Sequence, residues 1–160
     1  MRLIILGAGQ YGMVAKETAE AMGTFDFIDF LDDNSNLAIG KIEDLEHIEF
    51  DAAFVAIGNP DVREKLTKQI GDKAAILIHP SATVMPTAQI GKGSIIEAEA
   101  VVCSNAVVGE ASIIMSNAVI GHDASVGKCC QIKYNSSISE QSVVPDKVKV
   151  DCNTVWTYGV

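Results

Sequence analysis

Residues 78–156 read IHPSAT VMPTAQ IGKGSI IEAEAV VCSNAV VGEASI IMSNAV IGHDAS VGKCCQ IKYNSS ISEQSV VPDKVK VDCNTV W, thirteen hexads that each open on a large aliphatic residue, with Trp156 in the next opening position. The anchors run Ile78, Val84, Ile90, Ile96, Val102, Val108, Ile114, Ile120, Val126, Ile132, Ile138, Val144 and Val150. Four residues after each stands a small or β-branched one, from Ala82 and Ala88 through Ser94, Ala100 and Cys130 to Val148 and Thr154. A period of six is neither the helical 3.6 nor the alternation of a plain strand; it is the signature of a parallel β-helix. Each hexad then forms one face of a prism, with the aliphatic residue pointing inward at the middle of a short strand and the small residue fitting under the corner. Three hexads complete a coil, and coils stack by ladder hydrogen bonds at about 4.8 Å. Residues one coil apart therefore sit above one another. The column through His122 reads Pro86, Ser104, His122, Glu140, and the column beside it Thr87, Asn105, Asp123, Gln141.

Working back from the repeat, residues 1–77 alternate strand and helix signals, which argues a small parallel α/β sheet. Arg2–Leu6 is an apolar strand, the stretch Gly7 to Gly12 a turn, and Met13–Met22 a helix. Strands follow at 25–31 and 51–57, a helix at 61–70, and a last strand at 75–78 before His79-Pro80 breaks into the first coil. The expected organisation is thus an α/β Rossmann-like domain over 1–77 followed by a parallel β-helix over 78–160.

Gly7-x-Gly9-x-x-Gly12 lies between a strand and a helix, and Asp32 follows Gly12 by twenty residues at the end of the second strand. That is the dinucleotide fingerprint in its proper context: glycines let the backbone approach a pyrophosphate at a helix N-terminus, and a carboxylate holds a ribose hydroxyl. About 75 residues provide roughly half of a full dinucleotide domain, so a nucleotide-sugar suits the motif best, a purely structural tight turn is the second reading and NAD the third. Three loop tips converge at the carboxyl ends of the strands: Gly7 to Gly12, Asp32-Asp33 and Gly58-Asn59. Ligands of open α/β sheets bind in that crevice. Asp33 is equally readable as a turn residue with Asn34 and Ser35.

Composition narrows the rest. Aromatic residues are 6% of a chain that is 48% hydrophobic, which suits a core of Ile, Val and Ala. A net charge of −9 disfavours nucleic acid and anionic membrane surfaces as partners. No apolar run is long enough to insert in a bilayer, and Leu3–Leu6 is too short for a signal segment, so a cytoplasmic protein is expected. Cys103, Cys129, Cys130 and Cys152 lack metal-ligand spacing and read as reduced small hydrophobes; no metal is expected. His79 before Pro80 reads as structural and His47 as a solvated loop residue.

Taken together, Gly7-x-Gly9-x-x-Gly12, Asp32-Asp33-Asn34, Ala56-Ile57-Gly58-Asn59, His79-Pro80-Ser81-Ala82 and Gly121-His122-Asp123 resemble the bacterial sugar O-/N-acyltransferases. These include the N-acetyltransferases of 4-amino UDP-sugars and the sialic acid O-acetyltransferases. The resemblance covers nearly the whole chain. It implies a left-handed β-helix, a homotrimer with active sites between neighbouring subunits, acetyl-CoA as acyl donor and a nucleotide-sugar, such as a UDP-amino sugar, as acceptor. It makes Gly9, Gln10, Tyr11, Gly12, Asp32, Asp33, Gly58 and Asn59 candidate substrate-binding residues. His122 matches the family's histidine and lies off the inward-pointing position, so its side chain should face outward. It would act as general base toward a sugar amine or hydroxyl, with Asp123 orienting the imidazole. Coil stacking adds Glu140 as a second candidate partner.

The departure lies after the histidine, where the family's enzymes carry about four coils and only residues 123–160 follow here. Lys128, Lys133, Lys147 and Lys149 are candidates for coenzyme phosphates or simply a solvated face. A non-catalytic nucleotide-sugar-binding trimer that has lost the coenzyme A coils is therefore the alternative function. Ile95, Val101, Val107, Ile113 and Val119 precede successive anchors and are expected to form an outward apolar stripe at the trimer interface.

Overall fold

The computed structural model describes residues 1–157, and the chain divides into two compact units, Met1–Ala75 and the residues from Ile76 onward. In the first unit, β1 (Arg2–Leu6), β2 (Phe27–Leu31) and β3 (Ala52–Val55) form a parallel sheet in the order β2-β1-β3. Register pairs Arg2 with Phe27 through Leu6 with Leu31 on one side of β1, and Leu3 with Ala52 through Leu6 with Val55 on the other. A central parallel strand is covered on both faces. That is why Leu3-Ile4-Ile5-Leu6 is a continuous apolar run, and all four residues are fully buried.

Helix α1 spans Gln10–Met22, three residues earlier than the sequence spacing suggests. Gly9 is its extended N-cap and accepts a bond from the Met13 N–H at 3.2 Å, so Gln10, Tyr11 and Gly12 form its first turn rather than a loop. Helix α2 spans Pro60–Ile70; Asn59 caps it through Oδ1, which accepts from the N–H groups of Asp61 (2.9 Å) and Val62 (3.1 Å). Pro60 suits the first helical position because the N–H it lacks has no intrahelical partner there. The expected last strand at 75–78 is split. Ala75 donates to Ala53 in the first unit, whereas Leu77–Ile78 pairs with Ile95–Ile96 and belongs to the second.

The second unit is a parallel β-solenoid. Two-residue strands recur every six residues from Leu77–Ile78 to Val155–Trp156 and assemble into three parallel sheets of five, five and four strands. Each strand consists of the last residue of one hexad and the anchor of the next, so the anchor closes the strand instead of centring it. The anchors from Ile96 to Val150 are at most 2% exposed and form one continuous core with Ala100, Ala106, Ala118, Ala124 and Cys130. Serines in the small-residue slot are buried as well, and their hydroxyls are satisfied by the following coil: Ser94 Oγ donates to Gly109 O (2.9 Å), Ser112 Oγ to Gly127 O (2.8 Å) and Ser136 Oγ to Asp151 O (2.7 Å). Cys130 fills the same slot and places Sγ 3.0 Å from Pro145 O. Burial pushes its thiol pKa up, which suits an inert small residue.

The corners carry a second period that hydrophobicity does not reveal. From Gly93 to Asn153, the fourth residue of every hexad has a positive φ of 55–74°. Left-handed backbone costs most L-residues roughly 1–2 kcal/mol, with Gly, Asn and Asp the tolerant exceptions. Gly93, Asn105, Asn117, Asp123, Asn135 and Asn153 occupy such corners. The expected outer stripe, by contrast, does not form as one surface. Ile95 and Ile113 are 0% and 1% exposed and Val101 and Val119 half-buried; Val107 and Val143 are exposed and flank Ser125 in one sheet.

Candidate functional site

His122 and Asp123 are the two central residues of a corner turn closed by the Ala124 N–H on Gly121 O at 3.2 Å. Asp123 takes the left-handed position, φ 58°, which a short acidic side chain tolerates. The turn is pinned from both sides: Asp123 N donates to Ser104 O (3.0 Å) and Gln141 N to His122 O (3.0 Å). At Gly121 the next coil comes close to the backbone. A Cβ there would lie 2.6 Å from Glu140 N and 2.8 Å from Ile138 O, so only glycine lets the next coil stack over the histidine turn.

The imidazole points outward, as its place in the hexad requires, with 57% of the side chain exposed. Its Nδ1 lies 2.8 Å from Asp123 Oδ2. An ionised carboxylate only accepts hydrogen bonds, so Nδ1 carries the proton and Nε2 of the neutral ring is left as a base. The hydrogen bond from His122, followed by one from Asn105, holds the Asp123 carboxyl below the ordinary carboxylate range. Glu140 sits one coil further along the same column, as stacking requires, but makes no hydrogen bond to the ring among the described residues. Asp123, not Glu140, is the residue hydrogen-bonded to the imidazole.

In the first unit, the three loops at the carboxyl ends of the strands meet. Gly7 N donates to Leu31 O (2.8 Å), and Ala8 N donates to Asp32 Oδ2 (2.7 Å). Gly7 has φ 105°, and a Cβ on it would come within 2.8 Å of Ala56 O. A Cβ on Gly12 would strike Gly7 O, so this glycine brings the helix down onto the loop. Gly9 and Gly58 differ: neither has a positive φ, and nothing lies within 4 Å of where a Cβ would be. The chain's own packing does not require these two glycines. They leave a bare cradle at the N-terminus of α1, the arrangement that admits a phosphate.

Several candidate binding residues turn out to have structural duties. Both oxygens of Asp32 accept backbone N–H groups, from Ala8 and Asn34, which lowers its pKa and ties β2 to the glycine loop. Asp33 faces away and accepts from Ile42 N at 3.1 Å, beside a cleft that Lys41, Lys65 and Gln69 also line. Asn59 is engaged as a helix cap, and Tyr11 is half-buried in the first turn of α1 beside exposed Gln10. Lys128 and Lys133 are held in ion pairs with Glu110 and Asp151.

Two residues that the sequence reading did not single out also shape these sites. Arg63 is 1% exposed, and its Nη1 donates to Ile57 O (2.9 Å) and Gly58 O (3.0 Å), bracing the bare Gly58 turn from below. Its place one turn into a helix capped by Asn59 and opened by Pro60 was the available signal. Asn105 Nδ2 donates to Asp123 Oδ1 at 3.2 Å. Its position one coil before Asp123 placed it in the right column.

A family model described as the PglD N-terminal domain matches residues 2–70. UDP-N-acetylbacillosamine N-acetyltransferase of Bacillus subtilis (strain 168) is 32% identical over 108 residues, 59% of this chain and 50% of that protein, so the match spans half the length of this curated relative. The acetyltransferase domain of PglB from Neisseria gonorrhoeae FA1090, solved in complex with acetyl coenzyme A, has a TM-score of 0.77 at 27% identity over 98% of this chain and 92% of that one. A mutant perosamine N-acetyltransferase from Caulobacter crescentus, in complex with CoA and GDP-perosamine, shares the fold with a TM-score of 0.75 over 97% of this chain and 90% of that one, at 21% identity. The chain is thus similar to these acetyltransferases in both parts, a PglD-type N-terminal domain over residues 2–70 and the hexapeptide solenoid that follows.

Proposed function

We propose that this protein transfers the acetyl group of acetyl-CoA to an amino group of a nucleotide-activated sugar, with His122 as general base. The observation that carries this reading is the outward-facing His122–Asp123 pair. Asp123 accepts a hydrogen bond from Nδ1–H, fixes the tautomer and leaves Nε2 to take the proton that the attacking amine releases. The negative charge of Asp123 then stabilises the imidazolium. The thioester supplies an acyl group already activated for transfer, so the chain's own task is to position the acceptor and carry its proton.

The nucleotide belongs to the first unit. Bare Gly9 and Gly58, the first-turn amides of α1 and the positive end of its dipole suit a diphosphate, and the names of the relatives above pair this architecture with UDP- and GDP-linked sugars. An amine acceptor is preferred to a hydroxyl because those relatives are N-acetyltransferases. The chain spans 92% of an acetyltransferase domain that holds acetyl coenzyme A, which weighs against a non-catalytic binder lacking the coenzyme coils. A homotrimer fits an exposed catalytic corner, since a neighbouring subunit would enclose it. We place the enzyme in the cytoplasm; among the described residues no helix is long and apolar enough to cross a membrane.

The test is thiol release from acetyl-CoA by the purified protein with a UDP-4-amino-4-deoxysugar as acceptor. His122→Ala should lower kcat by about 10²–10⁴-fold. Unchanged turnover in that variant would remove the mechanism, and calorimetry showing no acetyl-CoA binding by the intact protein would return the alternative.

A further inference from the structure

One coil before the histidine turn, Asn105 stands where the stacked columns bring an amide against the free oxygen of Asp123. Its Nδ2 donates to Oδ1 at 3.2 Å, while Oδ2 receives the imidazole. Asn105 is itself anchored by a side chain of the preceding coil, as is Glu99, whose N–H donates to Ser81 Oγ at 3.1 Å. At other corners, such as those of Ala111, Asn117, Asp123, Cys129 and Gln141, the left-handed residue's N–H donates to a backbone carbonyl of the preceding coil. Asn105 N donates instead to the side chain of Thr87, Oγ1, at 3.0 Å. The result is a continuous run along one edge of the solenoid, from Thr87 through Asn105 and Asp123 to His122.

We infer that Asn105 is a positioning residue for His122: its amide holds the Asp123 carboxylate in the rotation that keeps Oδ2 on Nδ1. This rests on the reading of His122 as the base. A carboxylate on one exposed corner can rotate about χ2 and offer either oxygen, or neither, to the ring. Occupying Oδ1 with a fixed donor removes that freedom, so the imidazole stays in one orientation with Nε2 outward. The donor is also neutral, which matters for the base. The charged groups flanking the imidazole are Asp123 beside it and Glu140 one coil further on; the coil before contributes Ser104 and Asn105, which add no charge. An amide therefore orients Asp123 without adding a second negative charge that would hold the proton on His122.

Two substitutions separate positioning from mere folding. Asn105→Gly removes the amide at a corner where φ is 59°, a conformation glycine adopts freely, so the coil is not strained. Asn105→Asp keeps the shape and adds a carboxylate. The proteins would be compared by kcat and KM with acetyl-CoA and the UDP-4-amino-4-deoxysugar, by thermal unfolding, and by NMR titration of the His122 ring, one of three histidines in the chain. Asn105→Gly is expected to lower kcat about tenfold with both KM values unchanged and the unfolding temperature nearly so. Asn105→Asp is expected to raise the midpoint of the His122 titration by about half a unit, the effect of one more charge near 6 Å in a water-like dielectric. Wild-type kcat in Asn105→Gly, or an unmoved His122 midpoint in Asn105→Asp, overturns the inference. A fully active His122→Ala would instead remove the underlying reading, while the NMR titration would still decide whether Asn105 is coupled to the ring.

Discussion

Single residues in this chain are read by what their atoms touch, and Asp32 shows how far that departs from motif logic. Its place after Gly7-x-Gly9-x-x-Gly12 assigns it a ribose, yet its two oxygens are spent on the N–H groups of Ala8 and Asn34. Those bonds lower its pKa in the folded chain below the ordinary value of 3.8. A carboxyl with a depressed folded pKa contributes stability that is complete above its unfolded value and disappears as pH falls through the folded one. Asp32→Asn should therefore lower stability at pH 7 by about 1 kcal/mol, the usual worth of such a bond at a partly exposed site. The gap to the unsubstituted protein should close in chemical denaturation curves recorded progressively below pH 4, where the wild-type carboxylate is itself protonated. A difference independent of pH would show that the charge is not what ties β2 to the loop.

At the level of the element, the hexad has two halves with different rules. The anchor and the small residue obey hydrophobic burial, which is why thirteen repeats are visible by eye. The corner obeys backbone sterics, and some corners are filled by residues that dislike the left-handed region. Glu99 is one of them: exposed, with φ 60°. Glu99→Gly should raise stability by about 0.5–1 kcal/mol, the relief of the left-handed strain less the extra freedom glycine has when unfolded. Thermal or denaturant unfolding would measure it; destabilisation would mean that the Glu99 side chain contributes more than its backbone costs. His122 and Asp123 sit on one of these corners because the corner alone combines an outward side chain with a backbone fixed by the coils before and after it.

On the scale of the whole molecule, a solenoid presents flat faces and open corners, and the catalytic pair proposed here lies on a corner that one chain leaves more than half exposed. The expected apolar stripe is divided, with Ile95 and Ile113 already covered and Val107 and Val143 exposed. A trimer built on the remaining exposed apolar residues should appear in light scattering as three times the chain mass at micromolar concentration. Val107→Lys should shift it toward single chains and reduce acetyl transfer in parallel. A single-chain mass with full activity would show that the corner works unaided.

The sequence by itself determined the repeat, the number of hexads in a coil, the neighbouring columns that hold His122 with Glu140 and Asp123 with Asn105, and the parallel sheet ahead of them. Burial and coil stacking act at fixed periods, and a period survives in the order of residues. The sequence also made the glycine loop legible, since a loop between strand and helix has few ways to close. Only the tertiary structure decided which neighbour the imidazole is hydrogen-bonded to. The chain offers the imidazole Asp123 and stacking offers it Glu140, and the choice depends on side-chain rotation at a particular corner, which no periodicity encodes. The same holds for Asp32, Asp33 and Asn59, whose side chains are turned to backbone amides by local geometry. It holds again for Arg63, whose burial depends on carbonyls brought over it by the Gly58 turn.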